Sequence, residues 1–253
     1  ISNQPDPAVQ PNCTALREVT GWNVRTGRQN KGRRHARWFI FASSPRPARW
    51  VQGHPGPTPG MTRPAPAILI LAAGASTRMR GADKLLEEVD GTPLILRATR
   101  AACAVSDRVI VALPPASPRR AWLGDSPAQI VEVADRAMSA SIRAGVAACN
   151  SGGLLIHLAD MPDIDAMALT RLSTAWQASD APILRATDAD GTPGQPVVFA
   201  SELFPELLAL TGDTGARNII ARHRGATCAL PGRAATTDLD TPEAWAEWRA
   251  GRG

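Results

Sequence analysis

Residues 71–84 read LAAGASTRMRGADK, a stretch that combines a glycine-bearing turn with the two cations Arg78 and Lys84. Gly74 allows a sharp turn, Gly81 adds a second permissive backbone position, and the small residues Ala75, Ser76 and Thr77 leave amides open to a ligand. Amides and cations together read as a cradle for a triphosphate. A Walker A loop requires Gly-x-x-x-x-Gly-Lys-Ser/Thr, whereas six residues separate Gly74 from Gly81 and Leu85 follows the lysine, so a P-loop ATPase is excluded. The dinucleotide fingerprint Gly-x-Gly-x-x-Gly is missing from the stretch as well. Lys84 is singular: it is the only lysine from Met61 to the C-terminus, where the other 18 basic residues are all arginine.

A second stretch with chemical potential is His157-Leu158-Ala159-Asp160-Met161-Pro162-Asp163, at the end of an apolar run. Asp160 is placed to hold Mg²⁺, a hard ion that takes oxygen ligands and is commonly bound by one or two carboxylates plus substrate phosphates. Pro162 stiffens the turn that presents it. Asp163 and Asp165 have a plainer use at the start of a helix, through capping and the helix dipole. His157, inside the run, reads as a core histidine.

These loops need a sheet to hold them. Apolar runs of strand length at Ala67–Ala73, Arg108–Leu113, Gln129–Val133, Leu154–Ala159, Ile183–Thr187 and Pro196–Ala200 alternate with helical spacings. The helices are expected at Thr92–Val105, Ser139–Cys149, Ala166–Ala178, Glu202–Leu210, Ala216–His223 and Pro242–Arg249. Alternation of this kind predicts one α/β domain, a mostly parallel sheet with helices on both faces. Ligands of such sheets bind outside the carboxyl ends of the strands, where both stretches fall.

The charge is unevenly spread. Residues 1–60 carry nine Lys/Arg against Asp6 and Glu18, a net of +7, and the remaining 193 residues hold 19 basic and 21 acidic groups, a net of −2. The formal +5 of the whole chain therefore says nothing about the body, which has no reason to seek nucleic acid non-specifically. Residues 1–60 are rich in Pro, Gly and Arg without periodicity, and disorder is expected there. Two readings stand for them: a basic tail that binds an anion, or sequence translated from upstream of a start at Met61, which composition favours. The nucleotide-handling domain is expected at 61–253. No stretch approaches the ~20 apolar residues of a membrane span. Cys13, Cys103, Cys149 and Cys228 lack CxxC spacing, against a zinc site or disulfide scaffold, and a soluble cytoplasmic protein is expected.

The motifs LAAGASTRMRGADKLL, MSASIRAG at 138–145, ADMPDI at 159–164, GTPGQPVVF at 191–199, GDTGAR at 212–217 and DLDTPEAW at 238–245 resemble, in order, those of the nucleotidyltransferases that attach a nucleotide to molybdopterin. The likeness spans about residues 66–249 and is nearest to molybdenum cofactor cytidylyltransferases. It implies a Rossmann-like three-layer sandwich and transfer of CMP from CTP to the terminal phosphate of Mo-molybdopterin, with pyrophosphate released and Mg²⁺ as cofactor. Leu71, Ala72, Ala73, Gly74, Ser76 and Ser139 would contact the nucleotide, Arg78 the leaving phosphates, and Lys84 the α-phosphate, Arg78 and Lys84 being the catalytic pair. Asp160 and Asp240 map onto the metal positions, with Asp238 a rival to Asp240. Gln195 and Arg217 would line the acceptor side. Gln195, Ala159 and Ala137 depart from the family's usual His, Gly and Gly. GTP, a sugar phosphate or methylerythritol phosphate as acceptor, and a silent cofactor-delivery role are the alternatives. A molybdoenzyme of xanthine dehydrogenase type is the partner the resemblance suggests.

Overall fold

The computed structural model describes residues 62–213 and 215–252, so the expectation for residues 1–60 lies outside the described residues. The chain runs β1 (Ala67–Leu71), a loop with a 3-10 turn at Thr77–Met79, a hairpin of β2 (Glu88–Val89) and β3 (Thr92–Pro93), and α1 (Leu94–Cys103). Next come β4 (Val109–Leu113), a 3-10 segment Pro118–Leu123, β5 (Gln129–Glu132), α2 (Met138–Ala148), β6 (Gly153–Leu158) and α3 (Ala166–Gln177). The last part is β7 (Ile183–Thr187), β8 (Pro193–Ala200), a 3-10 turn leading into α4 (Phe204–Leu208), α5 (Arg217–Arg222), β9 (Gly225–Ala229) and α6 (Pro242–Ala250).

Period-two alternation sorts the strand residues between two cores. Ile68, Ile70, Val109, Val111 and Leu155 face one core, closed by Leu94 and Ile95 of α1, Leu169, Leu172 and Trp176 of α3, and Trp245 of α6. Leu69, Ile110, Leu154, Ile156 and Phe199 face the other, closed by Ile142 and Val146 of α2, Leu207 of α4 and Ile219 of α5. The result is three layers, helix, sheet and helix, as the sequence predicts. The sheet order is β5-β4-β1-β6-β8-β7-β9. Pairing is parallel for β5-β4, β4-β1, β1-β6 and β7-β9, and β8 runs antiparallel to both β6 and β7. One edge therefore collects the carboxyl ends of β1, β4, β6, β7 and β9 together with the start of β8.

Several boundaries differ from expectation. The first strand ends at Leu71, where the chain leaves the sheet. Thr92-Pro93 pairs with Glu88–Val89 instead of opening a helix, because Asp90 (φ 53) and Gly91 (φ 71) form a turn of two left-handed residues, the hairpin type that Asp-Gly favours. β8 begins at Pro193, before the expected Pro196, and β9 was not foreseen: its run Gly225–Ala229 is mostly exposed at the sheet edge. Among the described residues no helix is long and apolar enough to cross a membrane.

Candidate active site

The loop after β1 turns through Ser76 (φ 51), Arg80 (φ 53) and Gly81 (φ 99). Gly74, where a sharp turn is expected, does not hold left-handed backbone, which first comes two residues later at Ser76, and a Cβ on Gly74 would meet nothing within 4 Å. Gly81 does hold a conformation that L side chains rarely adopt. The loop delivers Lys84 to the centre of the edge. There its ammonium donates to Oδ2 of Asp160, from the end of β6, and to Oδ1 of Asp240 at 2.5 Å, just before α6. Arg78 donates to the other Asp240 oxygen at 2.5 Å. Asp240 is carried in by the segment after β9, which is fastened by Leu239 N–H donating to Asp160 O at 3.0 Å.

Electrostatics follow from this packing. Burial pulls the Lys84 pKa down, but Asp160 and Asp240 outweigh it and hold the ammonium above its ordinary value. Burial raises Asp240, yet Lys84 and Arg78 bring it below the usual carboxylate range. Asp238 is pushed up, by burial first and then by the charges of Asp240 and Asp160. Oδ1 of Asp160 is buried with no hydrogen-bond partner. An orphaned carboxylate oxygen among crowded carboxylates fits a hard cation. It is not a ready-made cage: among the described residues no three such side chains converge as a metal cluster, and the Lys84 ammonium bridges Asp160 and Asp240.

Three recesses run along the edge. A central cleft of about 370 Å³ is lined by Leu71, Ala73, Gly74, Arg78, Lys84, Asp160 and both Asp238 and Asp240. A shelf of about 210 Å³ lies on the β4 side, between the loop after β1 and Pro114, Ser117 and Arg119, and shares Gly74 and Arg136 with the cleft. A mostly apolar pocket of about 530 Å³ lies on the β8 side, with Gln195, Arg185 and Arg217 among Ile142, Ile156 and Phe199. It meets the central cleft at Leu71, Met138, Leu158 and Asp213.

Most of the residues singled out from sequence are thus brought to one edge. Three behave otherwise than expected. Ala72 is buried, with its N–H donating to Ala112 O at 3.0 Å. The Ser76 hydroxyl is engaged within its own loop, donating to Asp83 and accepting from Lys84 N–H. Ser139 is buried, its N–H donating to Gly212 O and its hydroxyl accepting from Arg143, while Met138 and Ser141 line the cleft. Asp163 and Asp165 behave as helix-start residues: Asp165 caps α3 by accepting from Ala168 N–H at 2.8 Å, and Asp163 accepts from the Trp248 indole. His157 is fully buried with neither ring nitrogen paired.

Sequence reasoning passed over Arg119, Arg136, Arg185 and Asp213. Arg185 and Arg119 carried no motif signal. Asp213 sat in a quoted motif, and in the fold it accepts from Met138 N–H at 3.1 Å, tying the start of α2 to the loop between the two larger recesses.

The profile of the MobA-like NTP transferase domain matches residues 68–227. The chain belongs to that family. It is a nucleotidyltransferase, and the central cleft and the shelf just described are both lined by the loop after β1. Among curated relatives, molybdenum cofactor guanylyltransferase of Burkholderia ambifaria (strain MC40-6) is 32% identical over 175 residues, 64% of this chain and 85% of that one. Among solved structures, Rv0371c from Mycobacterium tuberculosis H37Rv superposes with a TM-score of 0.65 at 27% identity, over 74% of this chain and 98% of that one. A complex of Rv0371c with manganese superposes with a TM-score of 0.62 over 73% and 97% of the two chains, also at 27% identity.

Proposed function

We propose that this nucleotidyltransferase transfers CMP from CTP to the terminal phosphate of Mo-molybdopterin and releases pyrophosphate. The observation that carries the reading is Lys84, placed between Asp160 and Asp240 in a cleft that opens onto a shelf on one side and an arginine-bearing apolar pocket on the other. A base on the shelf, phosphates in the cleft and a pterin in the apolar pocket would bring the two reacting phosphates together. The acceptor phosphate oxygen bonds to the α-phosphorus as the bond from that phosphorus to the β-phosphate bridge breaks, so pyrophosphate departs in line.

The protein's part is to hold and neutralise. Lys84 meets one non-bridging α-phosphate oxygen as its charge grows, and Arg78 meets the leaving phosphates. A compact ammonium suits a single oxygen, where a planar guanidinium prefers a two-oxygen grip. Asp160 and Asp240 would hold Mg²⁺, with Asp238 beside them, and the ion would neutralise triphosphate charge. Gln195, Arg217 and Arg185 serve the acceptor. Arg185 is held by the Gly194 and Pro193 carbonyls. Burial and then the nearby Arg217 lower its pKa, and among the described residues no carboxylate bonds to it.

GTP is the second reading for the donor, favoured by the guanylyltransferase relative; the Ala72-Ala73 pair favours CTP through the resemblance noted above. The product dinucleotide would pass to a molybdoenzyme. The test is pyrophosphate release with Mo-molybdopterin and Mg²⁺, comparing CTP with GTP. Release from CTP alone is the expected result. Release from GTP alone moves the protein to the second reading, and release from neither, with intact acceptor, overturns both.

A further inference from the structure

Arg119 and Arg120 are neighbours of one type with opposite fates. Arg120 pairs with Glu132 at the surface, and both are exposed. Arg119 is buried, with 4% of its surface accessible, although it belongs to the 3-10 segment after β4 and the loop it meets follows β1. It donates to Ala72 O at 2.5 Å and to Gly74 O at 2.9 Å. It also grips both oxygens of Asp83, at 2.7 and 2.8 Å, and reaches Ser76 Oγ at 3.3 Å.

The first two contacts act at a distance. Ala72, which is buried, and Gly74, which is exposed, lie just past the end of β1, where the ladder no longer supplies their carbonyls with a partner. In a planar trans peptide the C=O of one residue and the N–H of the next point in opposite directions. Turning the Ala72 and Gly74 carbonyls onto Arg119 therefore turns the Ala73 and Ala75 amides away from it. Ala73 lines the central cleft and Ala75 the shelf, and among the described residues neither amide donates to another protein group. The remaining contacts fix the far end of the same loop. Asp83 accepts from Leu85 N–H at 3.1 Å, and Ser76 Oγ accepts from Lys84 N–H at 3.3 Å. One guanidinium thus ties the start of the loop to Asp83, the residue before Lys84, and to the Ser76 hydroxyl that accepts from Lys84 N–H.

We infer that Arg119 is a positioning residue for the nucleotide: through the loop it holds, Arg119 aims the Ala73 and Ala75 amides at the phosphates and sets the backbone of Lys84. The inference rests on the nucleotide-binding part of the function proposed above. No other side chain offers five donors in one rigid plane, so lysine cannot take over both carbonyls and the carboxylate at once.

The test is calorimetric binding of CTP and GTP with Mg²⁺ to the full chain, alongside steady-state KM and kcat. Arg119→Lys is expected to weaken nucleotide binding on the order of tenfold to a hundredfold, the scale of lost charge-assisted hydrogen bonds. KM for the nucleotide rises with it while the unfolding temperature changes little. Arg119→Ala is expected to lose binding further and to regain part of it with added guanidinium, which does nothing for wild type. If Arg119→Ala does not fold, Asp83→Asn and Arg119→Lys carry the comparison. Wild-type affinity in Arg119→Lys, or a lowered unfolding temperature with unchanged affinity and KM, overturns the inference alone. A wild-type chain that binds neither nucleotide overturns it together with the proposed function.

Discussion

At the scale of single residues, the site is a balance of charges in which one atom decides. The Lys84 side chain is only 13% exposed, and its single nitrogen reaches one oxygen of Asp160 and one of Asp240, a placement that a planar guanidinium does not reproduce. Lys84→Arg is therefore expected to keep the fold and the charge and to lower kcat by roughly a hundredfold or more, the usual cost of a displaced oxyanion donor; pyrophosphate release checks it. His157 makes a different statement. Burial lowers its pKa from 6.5 to about 4, so the unfolded chain binds a proton more readily than the folded one. The stability this contributes is complete above pH 6.5 and is lost as pH falls towards 4, at most about 3 kcal/mol. His157→Leu is expected to flatten that slope, because both ring nitrogens are already unpaired and leucine forfeits no hydrogen bond. Urea unfolding of the two proteins at neutral and at mildly acid pH measures it.

At the scale of elements, two helix caps of the same kind have different consequences. Asp165 caps α3 through Ala168 N–H, and Thr241 caps α6 through Ala244 N–H at 3.2 Å. Each alanine substitution should cost about 1 kcal/mol of stability. Asp165→Ala should leave turnover unchanged. Thr241→Ala should lower it severalfold, since the neighbouring residue is Asp240, whose place between Lys84 and Arg78 depends on how the chain enters α6. Thermal unfolding and kcat, read side by side, separate the two. Elements were legible in the sequence where a local pattern determines them: the central strands had uninterrupted apolar runs and α3 had an acidic start. They were illegible where pairing partners lie far along the chain. β9 earns its place by pairing with β7, and nothing in its five residues announces that. The candidate site divides the same way. Loops ending apolar runs were visible, but Arg119 and Arg185 depend on which segments the sheet sets side by side, and Ser139 faces inward because α2 docks on the sheet through that side.

At the scale of the molecule, basicity and site belong to separate stretches of chain. The excess positive charge lies in residues 1–60, while the residues from Met61 onward carry a net −2. Any salt-sensitive binding to a polyanion by the full chain should disappear when residues 1–60 are removed, while pyrophosphate release persists. Heparin retention and turnover of the two chains check this together. The Gly194 backbone shows how tightly the rest is drawn. A Cβ there would lie 1.9 Å from Ala235 O, on the segment that goes on to carry Asp238 and Asp240.

The reversed strand β8 has a consequence for ancestry. Because it enters the working edge with its beginning, one wall of that edge is written in residues 193–197 and the opposite wall in residues 71–84, with whole helices and strands between them in the gene. Selection can revise the text of one wall while the other stands; on the function proposed above, a lineage of such proteins is then free to exchange its acceptor without relearning how to hold its donor.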